Sequence, residues 1–323
     1  MSYPTRRQFL KHTALAAGAL SAAPLGCGKP ASHGTSSGAM SIARWAGTKP
    51  EADDPGDSSG AASLRTIADR LTRQAMADLG GMERFVKPGD VVWIKPNIGF
   101  RMVPEFAANT SPDVVATLVN LCIEAGAKQV RIGDNSCYGQ SAAYPMSGIE
   151  RAATEAGGEV VFLPEADFVA CQIRGERLDS WPLAAPIIES DVVINVPVVK
   201  HHPLTGVTAC LKNLMGVAGG DRNLWHEAIE TCLCDLAAYL KPALNVVDAV
   251  RVMKRNGPIG GELGDVEFIG AVAAGVDMVA LDAFAAEQLD LSPQQVPMLQ
   301  TAARRGLGEM DYRKLIGGVT DVT

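Results

Sequence analysis

The sequence predicts an α/β fold, with a mostly parallel sheet and helices on both of its faces. Short apolar runs rich in β-branched residues alternate with stretches of helical periodicity, and this order is typical of strands joined by crossover helices. No segment repeats at a fixed period, which argues against a solenoid or a propeller. Residues 63–323 are therefore predicted to form a single α/β domain.

The first half of this domain alternates helices with strands. The helix over 111–126 has Ser111 as its N-cap and Pro112 at its first position, where the missing N–H costs no hydrogen bond. The predicted elements of this half are helices over 63–82, 111–126 and 142–157 and strands over 91–94, 130–132, 159–163 and 168–173.

The second half is built around the apolar run 192–199, which is short and β-branched enough to be a buried strand. A helix is predicted to follow it, and spacings of three and four place Thr205, Thr208 and Lys212 along one face of that helix. The later elements are strands over 244–247 and 266–274 and helices over 278–288 and 292–305.

Three of the five histidines in the chain lie within one short segment, as His201, His202 and His226. Glycines after Lys212 end the predicted helix, and a second helix starts near Asn223 with His226 in its first turn. Since His12 and His33 precede the predicted domain, any histidine chemistry of that domain belongs to this segment.

The amino terminus resembles an export signal. Arg6 and Arg7 precede a weakly apolar, alanine-rich stretch over 13–25, which is typical of a twin-arginine signal and too short to span a bilayer. Residues 1–27 are therefore predicted to be a signal segment that is recognised by the twin-arginine export machinery. The protein is expected to be periplasmic or otherwise extracytoplasmic.

Two further features belong to the region before the domain. Leu25-Gly26-Cys27 resembles an off-register lipoprotein box, so lipid attachment at Cys27 is an alternative to simple cleavage. Residues 28–62 are rich in Gly, Ser and Pro without periodicity and are predicted to be a flexible linker.

Composition argues against several partners and cofactors. The net charge of -7 and the pI near 5.3, with no basic stripe or aromatic platform, argue against a nucleic-acid partner. The cysteines form no C-x-x-C-x-x-C run, so the sequence holds no local iron–sulfur motif. No nucleophile elbow, Walker loop or dinucleotide fingerprint is found in a suitable context.

Polar residues follow four of the predicted strands at the point where each strand ends. Because ligands of open α/β sheets bind outside the carboxyl ends of the strands, these residues are expected to share one edge of the sheet. They are Lys95-Pro96-Asn97, Gly133-Asp134-Asn135-Ser136, Lys200-His201-His202 and Asp248.

The order of these residues resembles the family called domain of unknown function 362. The resemblance covers about residues 86–292 and is most specific between Lys200 and Gly216. His201 stands where the family commonly has threonine, so it is not carried over as a site residue. The residues that carry the resemblance are Lys95-Pro96-Asn97, Asn195, Pro197, Lys200, His202, Thr205, Thr208, Lys212, Asn213, Gly216, His226, Asp248, Asn256-Gly257-Pro258, Gly260 and Gly261.

What the resemblance implies is limited. Members of the family often bear a twin-arginine signal or an appended iron–sulfur segment, and the chain has the first pattern and lacks the second. The resemblance therefore argues against a redox role based on a cluster, and it implies no particular reaction.

The candidate residues suit two kinds of chemistry, which combine where a metal and lysines polarise one anionic substrate. Imidazoles and carboxylates ligate divalent metals, whereas ammonium groups near a helix amino terminus bind phosphate or carboxylate. The candidate metal ligands are His202, His226, Asp134 and Asp248. The candidate catalytic residues are Lys200, His202 and Lys95, and the candidate substrate-binding residues are Asn97, Thr205, Thr208, Lys212 and Asn213.

Two functions from different classes are compatible with this set. The first is an exported, metal- or cofactor-dependent enzyme of unassigned reaction that acts on a small anionic substrate. The second is a non-catalytic accessory protein that binds a metal or cofactor for an extracytoplasmic redox system. The sequence leaves the identity of the cofactor open, with a divalent metal as the candidate.

Overall fold

The structure, a computed structural model, describes residues 38–50 and 58–323. The predicted signal segment over 1–27, with Arg6, Arg7 and Cys27, lies outside the described residues. The predicted linker over 28–62 is wrong at Met40–Trp45, which form a strand. This strand is part of the domain because its apolar side chains are buried and its backbone pairs with strands on both sides.

Most of the strands join one large mixed sheet. They are numbered in chain order as β1 Met40–Trp45, β2 Val91–Pro96, β3 Gln129–Ile132, β4 Glu159–Val160, β5 Phe168–Gln172, β6 Ser180–Ala184, β7 Val192–Val196, β8 Val198–His202, β9 Gly206–Thr208, β10 Leu244–Met253, β11 Val266–Gly275 and β12 Ile316–Val322. The ten-stranded sheet has the order β12-β1-β11-β10-β7-β2-β3-β4, with β8 beside β10 and β9 beside β8. The strands β5 and β6 form a separate two-stranded sheet.

The sheet is mostly parallel, as predicted. Parallel pairing joins β1 to β12, β10 to β7 and β8, β2 to β7 and β3, and β3 to β4. Antiparallel pairing is found at β11, which pairs with β1 and β10, and between β8 and β9.

Helices cover both faces of the sheet, which confirms the predicted fold class. They are α1 Ser58–Asp78, α2 Pro112–Glu124, α3 Gln140–Met146, α4 Ile149–Glu155, α5 Ala185–Ile188, α6 Cys210–Asn213, α7 Ile229–Leu240, α8 Met278–Glu287 and α9 Pro297–Arg304. Successive residues of β2 point to opposite faces, so Val92 and Ile94 pack into the core with α1 and α2, while Trp93 packs into the core with α7 and α8.

The predicted strand over 192–199 is in fact two strands. Pro197 separates β7 from β8 because proline has no N–H to give to the sheet. Only β7 pairs with β2, whereas β8 pairs with β10 and continues to His202. Lys200 and His202 therefore lie within a strand that extends past the centre of the sheet.

The predicted helix that carries Thr205, Thr208 and Lys212 on one face is wrong. Residues 206–208 form β9, which folds back on β8 so that Thr208 pairs with Lys200 and Gly206 pairs with His202. Gly206 makes the reversal with a φ of 73°, a value that suits glycine. The helix begins only at Cys210, so α6 carries Lys212 without the two threonines.

Two other predictions near the edge of the sheet need correction. The helix over 142–157 is divided into α3 and α4 at Gly148, which has a φ of 72°. The strand over 168–173 pairs with β6 and is not part of the main sheet. None of the helices in the described part of the chain is long and apolar enough to cross a membrane.

Candidate functional site

A cavity of about 370 Å³ lies where β2, β3 and β8 end. The chain after β2 delivers Asn97 to it, the chain after β3 delivers Asp134, and β8 delivers Lys200. The short helix α6 adds Lys212 and Asn213 from the other side of the β8–β9 hairpin. The structure thus brings together residues from the strand ends that the sequence singled out.

Lys95 and Asp134 form a buried ion pair beside this cavity. The Lys95 Nζ lies 2.7 Å from the Asp134 Oδ1, and the two residues are 0% and 2% exposed. The same Nζ donates to the Pro96 carbonyl at 2.9 Å and to the Asn213 Oδ1 at 3.0 Å. Burial lowers the pKa of Lys95, and the Asp134 charge opposes that shift. Lys95 is therefore a fixed, compensated charge.

Lys200 is equally buried but has only neutral partners. Its Nζ donates to the Asn97 Oδ1 at 2.7 Å and to the Ala108 carbonyl, and it lies 4.5 Å from the centre of the Phe100 ring. No carboxylate in the described part of the chain forms an ion pair with it. Burial lowers the pKa of Lys200 to about 7. Its amine is thus partly uncharged near neutral pH.

A chain of side-chain amides connects the two lysines to the interior of the sheet. The Asn97 Nδ2 donates to the Asn213 Oδ1 at 3.2 Å, and the Asn213 Nδ2 donates to the Asn195 Oδ1 at 2.8 Å. The Asn195 Nδ2 then donates to the Asn245 Oδ1 at 3.0 Å. The chain orients the Asn97 oxygen towards Lys200. Of its members, Asn97 and Asn213 line the cavity.

Two more cations line the cavity. Burial is the main cause that lowers the pKa of Lys212 to about 8; the Arg222 and Lys95 charges act in the same direction, and Cys137 opposes them. The Arg222 guanidinium donates to the Asn135 and Met215 carbonyls, each at 3.1 Å. The sequence did not predict Arg222 as a site residue. The one available signal was its position in the glycine-rich turn between Lys212 and His226.

The two cavity histidines have opposite hydrogen-bonding roles. The His202 Nδ1 accepts the backbone N–H groups of Leu204 at 3.2 Å and Thr205 at 3.4 Å, so the neutral ring carries its hydrogen on Nε2. Burial, followed by the nearby lysine charges, lowers the pKa of His202 to about 3. The His226 Nδ1 instead donates to the Asn223 carbonyl at 3.0 Å, which leaves a lone pair on Nε2. His202 is therefore a donor and His226 an acceptor.

The predicted threonines lie in different environments. Thr208 lines the cavity, and its buried hydroxyl has no hydrogen-bond partner among the described residues. Thr205 is buried and its hydroxyl donates to the Val207 carbonyl at 2.9 Å, outside the residues that line the cavity. Thr208 is thus the threonine that can bind a ligand.

Asp248 does not line the cavity with the other candidate metal ligands. Its carboxylate accepts the Ser111 N–H at 2.7 Å and the Val250 N–H at 3.0 Å, so it holds the amino end of α2. Burial raises the pKa of Asp248 to about 6. Within residues 38–50 and 58–323, no group of three or more His, Cys, Asp or Glu side chains is placed to hold a metal ion.

Gly216 allows the ion pair to approach the backbone that follows α6. A Cβ on this residue would lie 1.7 Å from the Asp134 Oδ1 and 2.8 Å from the Lys95 Nζ. The Gly216 carbonyl also accepts the Asn135 N–H at 3.0 Å. Glycine is therefore required here by space.

Three comparisons relate the chain to known proteins. The family described as Domain of unknown function (DUF362) matches residues 92–287. A thylakoid-associated protein of Synechocystis is 33% identical over 261 residues, which are 76% of this chain and 75% of that protein. A crystal structure of a protein from Thermotoga maritima aligns with a TM-score of 0.38 and 12% identity, and the alignment covers 75% of this chain and 59% of that one.

Proposed function

The chain belongs to the family Domain of unknown function (DUF362), and from the geometry of its cavity we propose that it is an enzyme acting on a small anionic substrate. The main support is an excess of positive charge. The cations at the cavity are Lys95, Lys200, Lys212 and Arg222, and the carboxylates that line it within the described chain are Asp134 and Asp221. Because Asp134 compensates Lys95, Asp221 is the one carboxylate of this set that stands against Lys212, Arg222 and the partly charged Lys200, so cationic groups remain in excess for a ligand.

The cavity also holds groups that suit proton transfer as well as binding. Lys200 has an amine that is partly uncharged near pH 7, and the neutral His202 ring presents an Nε2–H donor. Groups whose environments shift their proton affinity are typical of catalytic sites. The partnerless Thr208 hydroxyl supplies one more hydrogen bond for a substrate. These features favour an enzyme over a passive carrier.

We also propose that the reaction depends on a divalent metal, and the residue that supports this is His226. Its Nε2 keeps a lone pair because Nδ1 is bound to a backbone carbonyl, which is the arrangement that metal-binding histidines commonly have. His202 and Asp134 already use their acceptor atoms within the protein. A metal bound here would accordingly take other ligands from the substrate or from water.

Binding of inorganic phosphate and of pyruvate to the full chain tests the proposal. Lys212→Gln and Arg222→Gln should each weaken binding roughly 10- to 100-fold, since a charge-assisted hydrogen bond contributes about 1.5–3 kcal/mol. Lys128→Gln is the matched control because Lys128 is exposed and does not line the cavity. Isothermal titration should show equal affinity for the control and the wild type. Affinities that are unchanged in all three variants would contradict the proposal.

We also propose that the protein is extracytoplasmic and reaches its location by twin-arginine export. The support is the Arg6-Arg7 pattern ahead of an alanine-rich stretch, together with a relative that is named as associated with thylakoids. Replacing both arginines by lysine keeps the charge and removes the recognised pair. The variant should accumulate as a cytoplasmic precursor in a fractionation experiment, and normal export would refute the assignment.

A further inference from the structure

Lys200, which lines the cavity, and Lys95, which lies beside it, differ in the nature of their partners. Lys95 has a carboxylate at 2.7 Å, whereas Lys200 has an amide oxygen at 2.7 Å and a backbone carbonyl. Both side chains are almost fully buried. A buried ammonium without a carboxylate is costly, so a lysine in this position is better suited to being an uncharged amine.

The two hydrogen-bond acceptors around Lys200 suffice for an uncharged amine. Such an amine has two N–H donors and one lone pair, and Asn97 and Ala108 supply two acceptors. The third side of the Lys200 nitrogen, away from these two acceptors, faces the Phe100 ring and the cavity. In its uncharged form Lys200 therefore keeps a lone pair that no hydrogen bond within the described chain occupies. Burial lowers the pKa of Lys200 to about 7; the Lys212 and Lys95 charges act in the same direction, whereas Cys137 and Asp134 oppose the shift.

We propose that Lys200 is a nucleophile that forms an imine with a small carbonyl compound bearing a carboxylate or phosphate. This assignment rests on the proposed anion-binding function of the cavity. Lys212 and Arg222 would bind the anionic group, and the Thr208 hydroxyl and the His202 Nε2–H can donate to its oxygens or to the carbonyl. Desolvation next to other cations is a recognised way to activate a lysine nucleophile.

The reaction balances without any further reagent. The Lys200 nitrogen attacks the carbonyl carbon, a C–N bond forms, and one amine hydrogen moves to the carbonyl oxygen to give a carbinolamine. The C–O bond then breaks, the second amine hydrogen leaves with that oxygen as water, and a C=N bond remains. No oxidation or reduction occurs.

The test is reductive trapping on the full-length wild-type protein followed by peptide mass mapping. Pyruvate and dihydroxyacetone phosphate are the two carbonyl probes, acetone is the carbonyl without an anion, and lactate is the anion without a carbonyl.

Borohydride should fix pyruvate or dihydroxyacetone phosphate on Lys200 as a secondary amine, and the probe that gives more adduct identifies the preferred anionic group. Label on Lys200 should exceed that on exposed Lys128 roughly tenfold or more at pH 7, since an ordinary lysine is almost entirely protonated there. Acetone should label Lys200 far less.

The outcomes separate this inference from the function on which it rests. Thermal stabilisation by pyruvate and lactate without any adduct on Lys200 would overturn the imine and leave anion binding intact. An adduct spread evenly over Lys200 and Lys128 would also overturn it. No stabilisation by either anion and no adduct would overturn both proposals. The mapping is made on the wild type, so it does not depend on a variant that folds. Lys200→Arg, checked by thermal melting, should abolish the site-specific adduct, and an adduct that persists elsewhere in the cavity would refute the assignment to Lys200.

Discussion

Replacing Asp134 by Asn removes the carboxylate charge without changing the size of the side chain, and it sets an amide NH2 against the Lys95 ammonium, so it breaks the buried ion pair. The amide oxygen can still accept the Ile98 N–H that the Asp134 Oδ2 accepts at 2.8 Å. Lys95, which is 0% exposed, would keep its three N–H groups but would lose its carboxylate. Removing one partner of a buried pair typically costs about 3–5 kcal/mol.

The structure also sets an upper limit on this loss. An unpaired Lys95 can release its proton. From its ordinary pKa of 10.5, the deprotonation of Lys95 at pH 7 costs at most about 5 kcal/mol. At pH 9 the same limit falls to about 2 kcal/mol. The destabilisation should therefore be about 3–5 kcal/mol at pH 7, or roughly 6–20 °C in melting temperature for a domain of this size, and should shrink towards alkaline pH.

Urea unfolding of the full chain at pH 7 and pH 9 measures both values. Asp179→Asn is the matched control, because Asp179 is exposed, and it should change stability by less than about 0.5 kcal/mol. The double variant Lys95→Met with Asp134→Asn removes the stranded amine and should recover at least half of the loss. A loss below about 1 kcal/mol for Asp134→Asn, or one that does not depend on pH, would refute this account of the ion pair.

Two further predictions concern the same cavity. Gly216→Ala should displace the Asp134 carboxylate, and it should therefore lower stability by about 1–3 kcal/mol and weaken phosphate binding. Gly264 has open space around it, so the control Gly264→Ala should change neither the melting temperature nor the phosphate affinity measured by titration. The pKa of Lys200 is lowered from 10.5 to about 7, so between about pH 7 and pH 10.5 the folded protein binds fewer protons than the unfolded chain. The stability of the protein should therefore rise with pH across this range. Lys200→Met removes this contribution, so its stability relative to the wild type should fall by about 3 kcal/mol between pH 7 and pH 9.5, and a constant difference would contradict the pKa shift.

Much of the fold could be predicted from the sequence because the strands are buried on both faces. Apolar runs such as 91–94 and 244–247 stand out from the helices around them, and both runs form strands of the main sheet. The first strand was missed because β1 follows a segment with the composition of a linker and is fixed by pairing with β11 and β12, far along the chain. Pairing of that kind leaves no local signal.

The residues of the site could be predicted better than their roles. Lys95 and Lys200 were both expected at strand ends, yet only the order of the strands decides that Lys95 meets Asp134 while Lys200 meets an amide. The strand β9 was mistaken for part of a helix because the spacing of Thr205, Thr208 and Lys212 fits a helical face. Arg222 was missed because its role depends on backbone carbonyls that only the fold brings near it.

The hydrogen bonds along the chain of side-chain amides all run in one direction. Each amide donates an N–H to the oxygen of the next, in the order Asn97, Asn213, Asn195 and Asn245. Turning Asn213 or Asn195 round alone would set donor against donor on one side and acceptor against acceptor on the other, so the inner amides do not reverse independently. The polarity at the Lys200 nitrogen is consequently decided in part by Asn245 at the start of β10, a residue that lies outside the cavity lining. An aspartate at that position would add a negative charge to the interior of the sheet, and the hydrogen-bonded amides would couple that charge to the Lys200 amine.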